Sequence, residues 1–171
     1  MKKVLQLLGF LSLGMVSVAG LANAAEAPKI QHVSVQTDEN QGLYGDSIYV
    51  LFNNPMYPLA TGSENNLVAV LPNDTTTLVN PAKNYFIKVL PGPGSRTPVY
   101  QGTWADLGGR AVFVTEQAGY RLVRLYLPAN IAQRNLFRPG DRVELTMPQT
   151  VTDVLGQLIM APGNRFITKA S

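Results

Sequence analysis

Downstream of residue 24, apolar residues occur in short segments that recur at intervals of roughly 10 to 20 residues. The segments are enriched in β-branched and aromatic residues, and clusters of glycine, proline, asparagine and aspartate separate them. This spacing predicts an all-β domain. The predicted strands are residues 31–37, 47–52, 67–71, 85–90, 97–103, 111–115, 121–127, 142–147 and 164–168.

The clearest period-two pattern lies in residues 142–147. Val143, Leu145 and Met147 alternate there with two charged residues and a threonine. Because successive side chains of a strand point to opposite faces, this pattern predicts one dry face and one wet face. Residues 47–52 are more apolar on both faces, which is typical of a central strand covered on both sides.

Helix signals are weak. The best is residues 128–136, a segment too short to be stable alone and closed by Pro139 and Gly140. It predicts one or two turns between strands. The chain has 12 prolines and 15 glycines, most of them between the predicted strands, and no internal repeat. We therefore expect residues 25–171 to form a single β-sandwich of roughly 7–9 strands.

The N-terminus has the pattern of a bacterial secretory signal. Lys2 and Lys3 precede an apolar run at residues 4–18, and the small-residue tripeptide Ala-Asn-Ala ends at Ala24. Cleavage after Ala24 is expected, with a periplasmic or secreted mature protein that has no membrane span. The alternative is an uncleaved helix at residues 4–22, for which the interrupting glycines and polar residues make a marginal span.

Charge argues against a nucleic-acid partner. The chain has a net charge of +3, but removal of Lys2 and Lys3 from its 14 basic residues leaves 12, against 11 acidic residues. The arginines are scattered singly and no lysine or arginine run is present. The basic footprint of a nucleic-acid binder is therefore missing from the sequence.

The side chains needed for most catalytic chemistry are scarce. The chain has no cysteine, and His32 is its only histidine. We expect His32 to be an ordinary polar-face residue, because a metal ligand or general base needs partners that the sequence does not place beside it. Hydrolase and phosphate-loop motifs are also missing. The sequence predicts no enzyme, no cofactor and no metal site.

Carboxylate pairs remain an alternative, since glycoside hydrolysis needs neither histidine nor cysteine. Asp38, Glu39 and Asn40 also offer clustered oxygens to calcium, although a solvated turn is the preferred interpretation. Most of the acids fall where turns are expected and aspartate caps the backbone. These are Asp38, Glu39, Asp46, Asp106, Asp141 and Asp153, whereas Glu144 lies on a wet strand face.

Three short pieces resemble a known family. Residues 45–58 read Gly-Asp-Ser-Ile-Tyr-Val-Leu-Phe-Asn-Asn-Pro-Met-Tyr-Pro, residues 137–145 read Phe-Arg-Pro-Gly-Asp-Arg-Val-Glu-Leu, and residues 151–157 read Val-Thr-Asp-Val-Leu-Gly-Gln. Together they are similar to the bacterial immunoglobulin-like domains of surface-layer and other cell-envelope proteins. The family commonly has Phe-Ser-x-Pro-Met-Asp-Pro, Leu-x-Pro-Gly-x-x-Tyr-x-Leu and Val-x-Asp-x-x-Gly-Asn at these places. Asn53, Tyr57, Val143 and Gln157 stand where the family commonly has serine, aspartate, an aromatic residue and asparagine.

The resemblance implies an immunoglobulin-like sandwich and a binding or structural role in the cell envelope. Turn chemistry explains the pieces physically, because proline ends a ladder and Pro139-Gly140 presets a turn. Asp153 and Gly156 suit a loop that needs a side-chain acceptor and a permissive backbone. Residues 73–109 have no counterpart in the pattern, and we expect the contact surface there.

Aromatic side chains supply the candidate binding residues. Tyr85, Tyr100 and Trp104 lie in or beside predicted loops, close to residues 91–94, and could present flat faces to a partner. The competing interpretation places Trp104 in the core between two sheets.

These observations predict an exported, non-catalytic binding or structural module of the bacterial envelope. Its partner would be a protein or another envelope component, held through loops or an edge strand. A carbohydrate-binding module that uses exposed aromatics is the first alternative, with polysaccharide as its ligand. A carboxylate-dependent hydrolase is the second.

Overall fold

A computed structural model describes residues 25–37, 46–57, 81–94, 97–114, 120–128 and 136–171. This part of the chain is mostly β, with two short 3-10 helices, Pro81–Asn84 and Trp104–Leu107. The strands are β1 (Ile30–Gln36), β2 (Ser47–Phe52), β3 (Met56–Tyr57), β4 (Phe86–Leu90), β5 (Tyr100–Thr103), β6 (Arg110–Phe113), β7 (Leu122–Tyr126), β8 (Arg142–Thr146), β9 (Thr152–Asp153) and β10 (Arg165–Lys169).

The strands form two antiparallel sheets of four strands each. The first sheet has the order β1-β2-β7-β6, and the second has the order β10-β8-β4-β5. β3 and β9 form a separate antiparallel pair. The β1 edge of the first sheet adjoins the β10 edge of the second, because a parallel bridge joins Val35 near the end of β1 to Ala170 directly after β10. The main-chain N–H of Ser171 also donates to the Val35 carbonyl.

The inward side chains of both sheets form one apolar core. Alternate residues of β2, β4, β7 and β8 are buried, as the period-two pattern requires. Trp104 is fully buried and stacks on Phe137, with ring centroids 6.4 Å apart and planes 3° from parallel. The core includes Val33, Val35, Ile48, Val50, Phe52, Ile87, Val89, Val123, Leu125, Val143, Leu145 and Met147.

The all-β prediction and most of the predicted strands are confirmed. Eight of the nine predicted segments contain a strand, and the ninth, residues 67–71, lies outside the described residues. The prediction for 97–103 was too long, since β5 begins at Tyr100. β3 and β9 were missed because each has two residues, too few to show a period. Residues 1–24 and 129–135 lie outside the described residues, and so do the predicted leader and most of the predicted turn.

Two buried aspartates fix loops to this scaffold. The Asp46 side chain accepts a hydrogen bond from the Phe137 N–H at 2.7 Å. Asp141 accepts from the N–H groups of Arg138 at 2.9 Å and Gly92 at 3.3 Å. Hydrogen bonds to an ionised acceptor are stronger than neutral ones, and they satisfy carboxylates that would be costly to bury alone.

Gly109 provides a test of how tightly the Trp104 pocket is packed. A Cβ atom at Gly109 would lie 2.5 Å from Trp104 Cδ1 and 2.7 Å from the Trp104 carbonyl oxygen. Because that oxygen belongs to the backbone, the clash cannot be relieved by a rotamer change. We expect Gly109→Ala to lower the free energy of unfolding by about 2 kcal/mol, or the thermal midpoint by about 4–8 °C. Circular dichroism melting measures this, and an unchanged midpoint would contradict the tight packing.

Candidate binding surfaces

The predicted aromatic site is not a surface platform. Tyr85 and Trp104 have no exposed surface, and only Tyr100 is partly exposed. Burial raises the pKa of Tyr85 well above its usual value. The main-chain N–H of Trp104 donates to the Tyr85 carbonyl at 2.8 Å, which extends the β4–β5 ladder, and both rings lie in the core. A ring must expose a face to stack on a sugar, so Tyr85 and Trp104 cannot supply that contact in this conformation. The competing interpretation of Trp104 as a core residue agrees with its burial.

Tyr100 has a structural partner within its own strand. Its hydroxyl donates to the Thr103 carbonyl at 2.6 Å, and burial, followed by the nearby Asp106 charge, raises its pKa. Asp106 accepts from the Thr103 N–H at 2.8 Å, and its own N–H donates to Thr103 Oγ1. The hydrogen bonds from Thr103 lower the pKa of Asp106.

These contacts hinder the pairing of an added strand with the β5 edge of the second sheet. β5 is the terminal strand there, and both main-chain polar groups of Thr103 are already bonded to side chains. An added strand would have to displace those bonds to pair with Thr103. Covered groups and short terminal strands are known protections against edge-to-edge pairing, and β5 and β6 have four residues each.

Exposed large apolar side chains concentrate in one loop between β9 and β10. We call residues 154–160 the apolar loop. Val154 is 53% exposed, Leu155 71%, Leu158 47% and Met160 50%. Four of the eight large apolar residues that are exposed in the described part of the chain belong to this seven-residue segment. Exposed apolar side chains that are grouped in this way are typical of interaction sites.

Asp153 holds the start of the apolar loop. Its side chain is buried, and Oδ1 accepts hydrogen bonds from the N–H groups of Leu155 at 2.9 Å and Gln157 at 2.8 Å. Oδ2 accepts from Asn54 Nδ2 at 3.0 Å. Gly156 has a φ of 82°, a left-handed conformation that glycine adopts without a Cβ penalty. The turn roles predicted for Asp153 and Gly156 are confirmed.

The rest of the loop is tied to the scaffold through its backbone. The Val154 N–H donates to the Pro55 carbonyl, and the Ile159 N–H donates to the Val151 carbonyl. Ile159 itself is fully buried and anchors the loop in the core. Met56 of β3 pairs with Asp153, and its N–H donates to the carbonyl of Tyr120. The half-exposed Tyr120 ring lies edge-on against the Phe113 ring. The loop backbone is therefore fixed while its large side chains face solvent.

Sequence reasoning missed this loop as a site. The run Val-Leu-Gly-Gln-Leu-Ile-Met at residues 154–160 has one pair and one run of three apolar residues, a composition that also suits a core segment. Only the outward turn set by Asp153 distinguishes Leu155 and Leu158 from Ile159. The sequence signal for an exposed loop was the turn motif at Asp153 and Gly156 together with apolar residues that do not alternate as they would in a strand.

Other predicted site residues have ordinary surroundings. His32 is exposed, and its ring lies edge-on to Phe166 with centroids 5.9 Å apart. No cluster of three histidine, aspartate or glutamate side chains able to hold a metal occurs among the described residues. Asp38, Glu39 and Asn40 lie outside them. In the described ranges, no helix has the length and apolar character needed to cross a membrane.

The described part of residues 73–109 forms interior structure. It contains β4, β5 and both 3-10 helices, and it places Tyr85, Ile87, Val89 and Trp104 in the core. This segment therefore contributes two strands of the second sheet, and its exposed residues lie on those strands, in the 3-10 helices and in the connecting loops.

No protein-family model, curated protein or solved structure matches this chain.

Removing the Asp153 carboxylate tests the anchoring of the loop. Asp153→Ala leaves two N–H groups and one amide without their buried acceptor, so we expect the free energy of unfolding to fall by about 2 kcal/mol or more. Asp106→Ala is the matched control, because Asp106 also bonds a main-chain N–H but lies exposed and should cost less. Urea unfolding of the two variants measures the difference. Equal losses would mean that Asp153 does not anchor the loop.

Proposed function

We propose that the chain is an exported, non-catalytic binding or structural module of the bacterial cell envelope. It is an immunoglobulin-like sandwich that associates with a protein or another envelope component through the apolar loop. The observation that carries this proposal is the fixed backbone of residues 154–160 with four large apolar side chains exposed on it.

Strand order supports the immunoglobulin-like part of the proposal. If β1, β2, β4, β5, β6, β7, β8 and β10 are lettered A, B, C, C′, D, E, F and G, the two sheets have the orders A-B-E-D and G-F-C-C′. Constant-type immunoglobulin domains have strands A, B, E and D in one sheet and C, F and G in the other. The sequence lacks the cysteine pair of antibody domains, so the support comes from topology and from the three family-like pieces.

Loop-mediated binding is favoured over strand addition for two reasons. The Thr103 backbone at the β5 edge is already bonded to side chains. The apolar loop, in contrast, has exposed side chains whose burial would contribute on the order of 1 kcal/mol each, given that they are about half exposed. Its fixed backbone also lowers the entropy lost on binding, since little of the loop has to be ordered.

The arrangement of the six acids in the described part of the chain supports a non-catalytic role. Asp46, Asp141 and Asp153 accept main-chain hydrogen bonds from buried positions, and Asp106 accepts one at the surface. Glu144 and Glu26 are each held by cations. Acids that are committed to structural partners are poor candidates for a proton donor and a nucleophile, which weakens the hydrolase alternative. Burial of Tyr85 and Trp104 weakens the carbohydrate-stacking alternative in the same way.

Export is supported by the leader-like pattern of residues 1–24, and processing can be tested directly. Ala24→Asp places a charged side chain where signal peptidase needs a small one, so unprocessed chain should accumulate in the cell membrane fraction. Ala27→Asp, three residues further on, should be processed normally. Mass spectrometry of the periplasmic fraction should find a chain that begins at Ala25. A periplasmic chain that retains residues 1–24 would contradict the proposal.

Partner capture tests the apolar loop. The double variant Leu155→Ser/Leu158→Ser should recover at least about tenfold less partner from envelope extract than the unchanged protein, because the apolar contact is lost. Val99→Ser is the matched control, since Val99 is 59% exposed outside the loop. Quantitative mass spectrometry of cross-linked complexes measures recovery.

Equal recovery by the loop variant and the Val99 variant would contradict a role for the loop. Recovery of no specific partner by the unchanged protein would contradict the binding function itself. Saturable binding of purified polysaccharide, unaffected by the loop variant, would favour the carbohydrate alternative.

A further inference from the structure

The outer face of the second sheet collects basic side chains that lie far apart in the sequence. Val143 and Leu145 of β8 are buried, so Arg142 and Glu144 point away from the core. The same alternation exposes residues of the neighbouring strands. We define the basic sheet face as Phe86 and Lys88 of β4, Arg142 and Glu144 of β8, and Arg165, Ile167 and Lys169 of β10.

Strand register brings these residues into adjacent rows. Glu144 is paired with Lys88 on one side and with Ile167 on the other. Arg142 is paired with Lys169, so two cations face each other across neighbouring strands. Such directly opposed like charges are unfavourable in a sheet.

The face has an excess of positive charge that its one carboxylate does not neutralise. It contains four cations and Glu144 as its only acid. Glu144 forms salt bridges with Arg142 at 2.8 Å and with Arg165 at 2.9 Å. Neither Lys88 nor Lys169 forms an ion pair with another described residue. Four cations minus one carboxylate leave the face a net charge of about +3, and two of its cations, Lys88 and Lys169, lie outside the described ion pairs.

Apolar side chains lie between these cations. Ile167 is 45% exposed and stands between Arg165 and Lys169 on β10. Phe86 is 38% exposed at the start of β4, two residues before Lys88. A ligand that complements the face must offer both negative charge and apolar contact.

We infer that the basic sheet face docks an acidic protein segment whose carboxylates alternate with apolar side chains. Glu144 holds the two guanidinium groups in place, and each retains further N–H donors with the fork geometry that suits carboxylates. Aliphatic side chains of the segment would cover Ile167 and Phe86, a contact that a sulfated polysaccharide or a nucleic-acid backbone does not offer. Membrane binding increases with the apolar area that is buried, and the two partly exposed apolar side chains of this face offer little of it.

The size of the face predicts a weak, salt-sensitive complex. The widths of three strands and the length of five residues along each strand give an area of roughly 200–300 Å². That area is well below the roughly 800 Å² that each partner buries in a standard interface. Attraction between exposed charges is screened by salt, so added salt should weaken the complex.

The test uses a soluble 12-residue peptide of alternating glutamate and leucine, titrated into labelled mature protein and followed by amide NMR shifts. Shifts should concentrate on β4, β8 and β10. Lys88→Gln/Lys169→Gln should weaken binding at least about fivefold, and raising NaCl from 50 to 500 mM should do the same. Arg110→Gln/Arg121→Gln is the matched control, because it removes two exposed cations from the first sheet and its flank and should change binding less than twofold.

Other outcomes would overturn the inference. Equal weakening by the two double variants would show only non-specific charge attraction. Undiminished binding of a glutamate–serine peptide would exclude the apolar contribution. Tighter binding of heparin or of phosphatidylglycerol vesicles would assign the face to another class of ligand, and no binding of the peptide would remove the docking site.

The inference is separate from the proposed role of the apolar loop. Leu155→Ser/Leu158→Ser should leave peptide binding unchanged, and Lys88→Gln/Lys169→Gln should leave loop-dependent partner capture unchanged. The peptide titration and the partner capture therefore test the two proposals separately, and either proposal can be contradicted without the other.

Discussion

Buried carboxylates that accept main-chain hydrogen bonds hold the loops of this protein to its sheets. Asp46, Asp141 and Asp153 each lie in the interior and each bond at least one N–H group of a loop. The sequence has no cysteine, so no disulfide shares this task. A buried charge is expensive unless it is fully bonded, which makes each of these contacts sensitive to the position of its loop. Because the buried carboxylates are stable only with these hydrogen bonds in place, they hold the loops in defined conformations. The backbone conformation of the apolar loop depends on the hydrogen bonds of Asp153.

Sequence reasoning succeeded where local chemistry decides the structure. Alternation in residues 142–147 located β8, and the residue types at Asp153 and Gly156 located a turn whose geometry the structure confirms. It failed where pairing decides the structure. β3 and β9 exist only because two distant dipeptides meet, and no periodic pattern can appear in two residues. Their boundaries could be found only from the three-dimensional arrangement.

The candidate site was harder to predict than the fold because exposure depends on tertiary packing. Tyr85 and Trp104 border turns, as binding aromatics do, yet a ladder bond joins their backbones and both rings lie in the core. Leu155 and Leu158 have core-like composition, yet they are exposed after the Asp153 turn. In both cases hydrogen bonds that composition does not reveal accompany side chains that lie opposite to the expected direction.

The basic sheet face shows that strand register brings together charged residues that lie far apart in the sequence. Lys88, Arg142 and Lys169 are separated by many residues, so a search for basic runs finds nothing. Pairing of β4 with β8 and of β8 with β10 places them within two strand spacings of one another. The Glu144 carboxylate offsets the repulsion around Arg142 and Arg165, which gives those two cations a role in the folded sheet. Lys88 and Lys169 form no ion pair among the described contacts. Exposed lysines are ordinary on a protein surface, so the proposed docking face depends on their register beside Ile167 and Phe86 and not on their charge alone.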